Sequence, residues 1–272
     1  MATLTRRSVL AAACAGGAAL STPSASAAAD SFSNRANADS KFRLGLVTYN
    51  LAANWDLPTL LQVCRSVGVT LVELRTGHKH GVEPTLSKEE RQSVRKQFLE
   101  LARDIGAHGV KVRPNGIPKG AAVEKTLQQI GAALAECGRA ADEISGRSGG
   151  LEVWLEVHGS QTAHPPYIKS IMESCGHPSV GLTWNSNADD IKDGSVAESF
   201  KTLWPWVRSC HINDLYKDQT GAYPYRELFG LLKGIGYDRV TLCEVGRTFP
   251  DPNLGAEFLR YYKALWTELN RG

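Results

Sequence analysis

Short apolar runs rich in β-branched and aromatic residues alternate with longer amphipathic stretches along the chain from Phe42 onward. Compact apolar runs predict strands, and apolar positions spaced three or four residues apart predict helices. The predicted strands are 43–50, 70–75, 110–113, 151–158, 180–185, 207–213 and 239–245, and the predicted helices are 57–66, 87–105, 122–144, 166–175, 225–235 and 254–269. Successive strands lie mostly about 25 to 40 residues apart, which is the length of one βα unit.

This repetition predicts a parallel sheet, either closed into a barrel or open with helices on both faces. A Rossmann-type sheet would need a Gly-rich phosphate loop after its first strand, and the sequence has none there. Polar residues instead follow nearly every strand at its carboxyl end, where a TIM barrel carries its active site. We therefore expect an α/β fold of the (β/α)8 TIM-barrel type. Because only seven strands are recognisable, either one strand is hidden in a weak pattern or one βα unit is missing and the barrel is incomplete.

Composition and charge narrow the class of protein. The 272 residues are 42% hydrophobic and 22% charged, which fits one large domain with an apolar core and excludes a fibrous or disordered chain. A formal net charge of +3 provides no broad positive field, so we expect neither nucleic acid nor an anionic membrane surface as a partner. The six cysteines contain no CxxC pair, which argues against a zinc ribbon, a redox motif or a disulfide scaffold. These properties favour a soluble enzyme.

The first 29 residues have the organisation of a targeting segment. They contain the pair Arg6-Arg7, an apolar stretch over 9–20 and the small-residue cleavage pattern Ala25-Ser-Ala27. This pattern predicts a signal peptide whose apolar stretch is too short to span a bilayer. The paired arginines resemble the twin-arginine export signal, although an ordinary secretory signal could also contain them. We therefore expect an exported protein, periplasmic or secreted, with no membrane attachment once the signal is removed.

The sequence predicts one folded domain after this segment. Residues 30–41 are polar and are expected to form a disordered lead-in, and residues 42–272 form the barrel domain. Removal of the signal leaves five cysteines, so at least one of them has no partner within the chain. The sequence leaves open whether the domain forms a homo-oligomer.

Polar side chains lie at a similar depth near the ends of the last four predicted strands. Residues two apart on a strand share a face, and on this basis Glu156, Asn185, His211 and Glu244 are expected to converge at the mouth of the barrel. Two carboxylates, an imidazole and an amide oxygen suit a hard or borderline divalent cation. The sequence therefore predicts a metal site for Mn²⁺, Mg²⁺ or Co²⁺, with Zn²⁺ as an alternative.

The segments around these residues resemble the xylose isomerase-like TIM-barrel superfamily, in its sugar phosphate isomerase/epimerase group. The resemblance covers about residues 43–266 and is most specific in Leu155-Glu-Val-His-Gly159, Leu182-Thr-Trp-Asn-Ser-Asn187, Cys210-His-Ile-Asn-Asp-Leu215 and Leu242-Cys-Glu-Val245, with weaker similarity in Val72-Glu-Leu-Arg75 and Lys111-Val-Arg-Pro-Asn115. Relatives take their metal ligands from a Glu, an Asp, a His and a Glu. The resemblance implies that Glu156, Asn185, His211 and Glu244 are the corresponding ligands here.

The resemblance also implies an activity, which is the isomerisation or epimerisation of a sugar or keto-sugar. The proton would move through a metal-stabilised enediolate, with Glu156 and Glu244 as acid and base. Residues expected to contact the substrate are His158, Lys111, Arg113, Asn115, Glu73, His78, His80 and Asn187. For Lys111 and Arg113 a structural ion pair with Glu73 is an equal alternative. The loop of His78 and His80 could also be an auxiliary metal site or a lid.

Three departures from the superfamily pattern favour weaker metal binding or lost turnover. Asn185 replaces an Asp and removes a negative charge, Ala188 replaces a His found in many relatives, and the missing βα unit falls at the third barrel strand. A carbohydrate-binding protein without turnover is therefore one alternative, and a keto-sugar lyase or dehydratase is another. A nuclease of the endonuclease IV type would need more His and Asp ligands and a basic groove, which are absent from the sequence. An unphosphorylated sugar is the expected partner.

Overall fold

The computed structural model describes residues 40–69, 71–81 and 107–271, and a parallel β-sheet forms its centre. All seven predicted strands are present. Their bounds are β1 Arg43–Val47, β2 Val72–Glu73, β3 Gly109–Val112, β4 Glu152–Glu156, β5 Val180–Asn185, β6 Val207–Ile212 and β7 Val240–Cys243. The predicted signal peptide, the lead-in up to residue 39 and the predicted helix 87–105 lie outside the described residues.

The strand order is that of a barrel with one gap. In the described residues the order is β2-β1-β7-β6-β5-β4-β3, and every neighbouring pair is parallel. The pairing of β1 with β7 joins the first strand to the last, as closure of a TIM barrel requires. The described strands β2 and β3 are the two edges of the sheet, and residues 82–106, which connect them in sequence, lie outside the described residues. Over the described residues the sheet is thus open between β2 and β3, which is consistent with the incomplete barrel expected from seven strands.

Helices follow the strands and cover the outside of the sheet. Their bounds are α1 Leu57–Val67, α2 Val123–Ser145, α3 Pro165–Cys175, α4 Ala197–Leu203, α5 Lys217–Thr220, α6 Tyr225–Gly234 and α7 Pro252–Asn270. Every predicted helix that falls within the described residues is confirmed. The sequence pattern did not predict α4 and α5, because seven and four residues are too few to show a helical period.

Local sequence signals define the ends of the first helix. The Asp56 side chain accepts a hydrogen bond of 3.0 Å from the backbone N–H of Thr59, which caps the amino end of α1. Gly68 follows the last turn with φ of 70°, a left-handed conformation that a residue without Cβ adopts at little cost. The helix buries Leu60, Val63, Cys64 and Val67 in the hydrophobic core. None of the helices in the described part of the chain combines the length and apolar character that a membrane span needs.

A bulge between β5 and β6 determines which side chains share the carboxyl end of the sheet. Leu182 pairs with Val207, but Thr183 pairs with Ser209, so Arg208 is an extra residue in β6. Because of this shift Asn185 pairs with His211, whereas an unbroken register would place it opposite Cys210, whose side chain faces the other way.

Gly181 makes room for this bulge. A Cβ on Gly181 would collide with the Arg208 side chain and would lie 2.9 Å from the carbonyl oxygen of Trp206. A residue with a larger side chain would push β6 away at the point where its register shifts. The small residue at this position therefore helps to bring Asn185 and His211 together.

Candidate metal centre

Glu156, His211 and Glu244 bring their donor atoms together at the carboxyl end of the sheet. One ligand atom from each lies within 4.8 Å of the other two. His211 Nδ1 is 3.2 Å from Glu244 Oε2 and 3.8 Å from Glu156 Oε1. Donors bound at right angles to an ion at about 2.1 Å are about 3 Å apart, so these separations are close to those of a bound cation. The structure thus joins three of the four predicted ligands in one cluster.

The imidazole of His211 is held with one nitrogen directed into this cluster. Its Nε2 lies 3.0 Å from Glu73 Oε2, which fixes the donor nitrogen of the ring on that side. Its Nδ1 is buried and has no hydrogen-bond partner of correct geometry in the described residues. A buried polar atom without a partner is unfavourable unless something else binds it. The orphaned nitrogen therefore fits a metal ligand.

Negative charge dominates the surroundings of His211. Burial alone would lower the pKa of His211, but Glu73, Glu156 and Glu244 raise it well above its ordinary value. Burial likewise opposes ionisation of Glu73, and its interactions with His211 and Lys111 still lower the pKa of that carboxyl. The same field of carboxylates would attract a divalent cation.

Both oxygens of the Glu156 carboxylate have polar partners. Lys111 Nζ lies 2.6 Å from its Oε2, and Asn185 Nδ2 donates a hydrogen bond of 3.0 Å to its Oε1. Although burial raises its pKa, the nearby His211 and Lys111 outweigh this effect and place the pKa of Glu156 well below its ordinary range. With the residue only 2% exposed, its carboxylate is a fixed anion rather than a solvated one.

Asn185 lies beside the cluster and contributes its amide nitrogen. In the observed orientation the side chain donates to Glu156, so it positions a ligand. Its oxygen would face an ion only after the amide rotates. The prediction that Asn185 is itself a ligand therefore stays a prediction.

Lys111 and Arg113 contact Glu156 more closely than Glu73. Lys111 Nζ is 2.6 Å from Glu156 Oε2 and 3.9 Å from Glu73 Oε1, so it bridges the two carboxylates unequally. Arg113 Nε lies 3.6 Å from Glu156 Oε2, and its terminal nitrogen is against the ring of His158. Lys111 thus forms the alternative ion pair with Glu73, but this is the longer of its two contacts with carboxylates.

The remaining predicted substrate residues are bonded to the loops around the site. Asn187 donates to the carbonyls of Val157 and Asn185, at 2.6 and 3.2 Å. Asn115 has φ of 58°, and its carbonyl accepts a hydrogen bond from the Thr162 hydroxyl. The contacts with Val157 and Thr162 join the ends of neighbouring strands. Substrate contact by Asn187 and Asn115 stays a prediction.

The loop of His78 and His80 is attached to the ends of β1 and β2. His78 Nδ1 lies 3.1 Å from Thr48 Oγ1, and His80 Nε2 lies 3.0 Å from the carbonyl oxygen of Arg75. Thr48 also accepts from the backbone N–H of Arg75, and sequence reasoning did not single it out. The sequence could have indicated Thr48, because it is the polar residue that directly follows β1. A role for this loop in substrate binding stays a prediction.

A second buried polar network lies beneath the loop that follows β5. Asp190 is fully buried, and its Oδ2 accepts from the Tyr223 hydroxyl and from the backbone N–H of Asn187, each at 2.9 Å. Tyr223 in turn accepts from Trp184 Nε1. Burial is the main reason that the pKa of Asp190 rises to about 7. Sequence reasoning did not identify this network, because its members are distant in the chain.

Comparisons with known proteins connect this geometry to a fold. No family model matches the chain, and a search of curated proteins found no match. Among solved structures, the chain is similar to an L-ribulose 3-epimerase with a TM-score of 0.63 and 15% identity, covering 84% of this chain and 94% of that one. It is similar to a 3-keto-D-glucoside 4-epimerase from E. coli with a TM-score of 0.60 and 15% identity, covering 84% and 100%.

A third similar structure is a D-psicose 3-epimerase from Clostridium cellulolyticum H10, solved with D-tagatose. Its TM-score is 0.57 at 12% identity, covering 85% of this chain and 98% of that one. At these identities the similarity establishes the fold alone, which is an α/β barrel of the TIM type. The expected fold is thereby confirmed over most of the chain.

Proposed function

We propose that the protein is a divalent-metal-dependent isomerase or epimerase of a sugar or keto-sugar. The observation that carries this proposal is the convergence of Glu156, Glu244 and the unpartnered Nδ1 of His211 at the carboxyl end of the barrel. The similarity in fold to sugar epimerases supports the same class of substrate. Fold similarity alone does not define an activity, so the proposal rests on the site.

The donor set fits a divalent cation. Glu156, His211 and Glu244 would hold it, and the arrangement of two carboxylates with one imidazole suits Mn²⁺, Mg²⁺ or Co²⁺, with Zn²⁺ as the alternative. A bound ion would supply Lewis acidity toward the carbonyl and a neighbouring hydroxyl of the sugar. Glu73 would accept a hydrogen bond from Nε2 of the His211 imidazole and so hold the tautomer in which Nδ1 can bind the ion.

The protein's own contribution to proton transfer comes from the two glutamates. A proton on the carbon next to the sugar carbonyl would be removed by one carboxylate and returned by the other. The two carboxylates are held differently, since Glu156 is bonded to Lys111 and Asn185 whereas the contact found for the Glu244 carboxylate within the described residues is to His211. Glu244 therefore has more freedom to reach the reacting carbon.

Proton exchange with solvent tests this proposal directly. The protein would be incubated with Mn²⁺ and a panel of keto-sugars in D₂O, and the products would be followed by NMR. We expect deuterium to enter at the carbon next to the carbonyl together with formation of an epimer or isomer, and we expect a chelator to stop both. Loss of water from the sugar would assign a lyase instead. No deuterium in any sugar of the panel would contradict the proposal.

A carbohydrate-binding protein without turnover is the second candidate. It is favoured by the orientation of Asn185 and by the ammonium of Lys111, which occupies one oxygen of Glu156. Sugar binding without deuterium exchange in the same experiment would select this function.

We also propose that the protein is exported. Arg6-Arg7, the apolar stretch that follows and the pattern Ala25-Ser-Ala27 support this location. A fusion of residues 1–29 to a reporter that is active only after export tests it. We expect export from the wild-type segment and loss of export after replacement of both arginines by lysine. Retention of the wild-type fusion in the cytoplasm would contradict the proposal.

A further inference from the structure

Arg113 is a cation at the mouth of the site without a carboxylate of its own. Its side chain is 42% exposed, and no carboxylate of the described residues lies within hydrogen-bonding distance of it. The ion pair that it does form joins its Nε to Glu156 Oε2 at 3.6 Å, and that oxygen is already bonded to Lys111 at 2.6 Å. Glu156 therefore shares its single negative charge between Lys111 and Arg113, and the closer of the two cations is Lys111.

The other neighbour of Arg113 does not neutralise it. Nη2 lies 2.9 and 2.6 Å from the two ring nitrogens of His158, and a neutral imidazole accepts a hydrogen bond at only one of them. Neither form of an imidazole carries a negative charge, so His158 cannot compensate the charge of the guanidinium. The guanidinium therefore lies beside the reaction site with donors that a ligand can use.

The balance of charges around the site gives the sign of that ligand. The carboxylates of Glu73, Glu156 and Glu244 face the cations of Lys111 and Arg113. With one divalent ion bound and His211 neutral as its ligand, the cluster has one positive charge in excess. Asn185, whose amide is uncharged, does not offset this excess.

Building on the proposed function, we propose that the substrate is a keto-sugar bearing a carboxylate and that Arg113 binds this group. A carboxylate has one negative charge, which matches the excess, and its two oxygens match the planar fork of a guanidinium. A phosphate monoester has between one and a half and two charges near neutrality and would exceed the balance. Because the guanidinium adjoins the Glu156 carboxylate, a sugar whose carbonyl lies at the metal centre would extend its acidic end toward Arg113.

Three sugars that differ only at C6 test this inference. D-Fructose, D-fructuronate and D-fructose 6-phosphate present a hydroxyl, a carboxylate and a phosphate on the same keto-sugar. Their affinities would be measured by calorimetry with the Mn²⁺-supplemented protein, without any need for turnover. We expect fructuronate to bind at least about tenfold more tightly than fructose, as one charge-assisted pair would provide. We expect fructose 6-phosphate to bind less tightly than fructuronate.

Variants of Arg113 assign the effect to this residue. Arg113→Met should remove the preference, so that fructuronate binds no more tightly than fructose to the same variant. Arg113→Lys should keep part of the preference, because it keeps the charge but not the fork. Arg147→Met, at an exposed position beyond α2, is the matched control and should behave as wild type.

The outcomes separate this inference from the proposed function. Equal binding of fructose and fructuronate, no binding of fructuronate, or a preference that survives in Arg113→Met would each overturn it. Tighter binding of fructose 6-phosphate would overturn it in favour of a phosphorylated substrate. A protein that prefers fructuronate through Arg113 but exchanges no deuterium with any keto-sugar would contradict the proposed function, while the binding of a sugar carboxylate by Arg113 would still hold.

Discussion

Lys111 Nζ lies 2.6 Å from Glu156 Oε2, and this ion pair joins β3 to β4 at the centre of the site. The lysine side chain is 21% exposed, whereas that of Glu156 is 3% exposed. Removal of one partner leaves a buried charge with fewer compensating bonds, and this is costly in a protein interior. The pair therefore contributes to the stability of the metal-free protein as well as to the position of Glu156.

We predict that Lys111→Met destabilises the metal-free protein by about 1–3 kcal/mol, since Glu156 keeps its bond from Asn185 but loses its main counter-charge. Urea unfolding in the presence of a chelator measures this change. Lys119→Met, at an exposed position, is the control. Equal unfolding free energies for Lys111→Met and wild type would mean that the ion pair does not stabilise the fold.

Glu156→Gln and Glu244→Gln are expected to lower turnover by about 10²–10⁴-fold, the usual contribution of a positioned acid or base. Both changes keep the shape of the side chain, so the circular dichroism spectrum and cooperative unfolding should be retained. Glu124→Gln, on the exposed face of α2, is the matched control. Turnover near the wild-type rate in either site variant would remove that residue from the proton-transfer step.

Asn185→Asp should raise the affinity for Mn²⁺ by about tenfold, because a carboxylate would stand beside Glu156 in place of an amide. Titration of the metal-free protein with Mn²⁺ measures this change. The gain should disappear when His211→Ala is added, since the imidazole is part of the same ligand set. An unchanged or weaker affinity of Asn185→Asp would show that position 185 lies outside the reach of the ion.

The buried carboxyl of Asp190 predicts a dependence of stability on pH. Its pKa is about 7 in the folded protein and near the ordinary value of 3.8 in the unfolded chain, so the folded state holds the proton more tightly. The contribution of this group is therefore full below the unfolded pKa and is lost as pH rises toward the folded pKa. We predict that wild-type stability falls relative to Asp190→Asn by up to about 4 kcal/mol across this window.

Urea unfolding of both proteins at a series of pH values between these two pKa values tests the effect. The difference between wild type and Asp190→Asn should then stay constant above the folded pKa. A difference that does not change with pH would show that Asp190 titrates at the same pH in both states.

The strands and the shared faces of the site followed from the sequence, because both depend on local periodicity. Glu156, His211 and Glu244 were identified since a parallel sheet aligns the carboxyl ends of its strands. The alignment of Asn185 with His211, however, depends on the bulge at Arg208, and a single extra residue in a strand leaves no periodic signal.

The partners of the site residues could not be predicted for a related reason. Glu73 in β2 contacts His211 in β6, which is three strands away in the sheet and 138 residues away in sequence. Lys111 was expected to pair with Glu73 or to line the pocket, and its shorter contact is with Glu156. Several carboxylates lie within reach of that lysine, so only the three-dimensional arrangement selects one.

The most direct test of the metal centre is a crystal of the protein soaked with Mn²⁺, with anomalous scattering recorded near the manganese edge. We predict one strong peak at coordinating distance from His211 Nδ1, Glu156 and Glu244. The absence of a peak there, or a peak bound by other residues, would contradict the assignment of these three side chains as the ligands of a divalent ion.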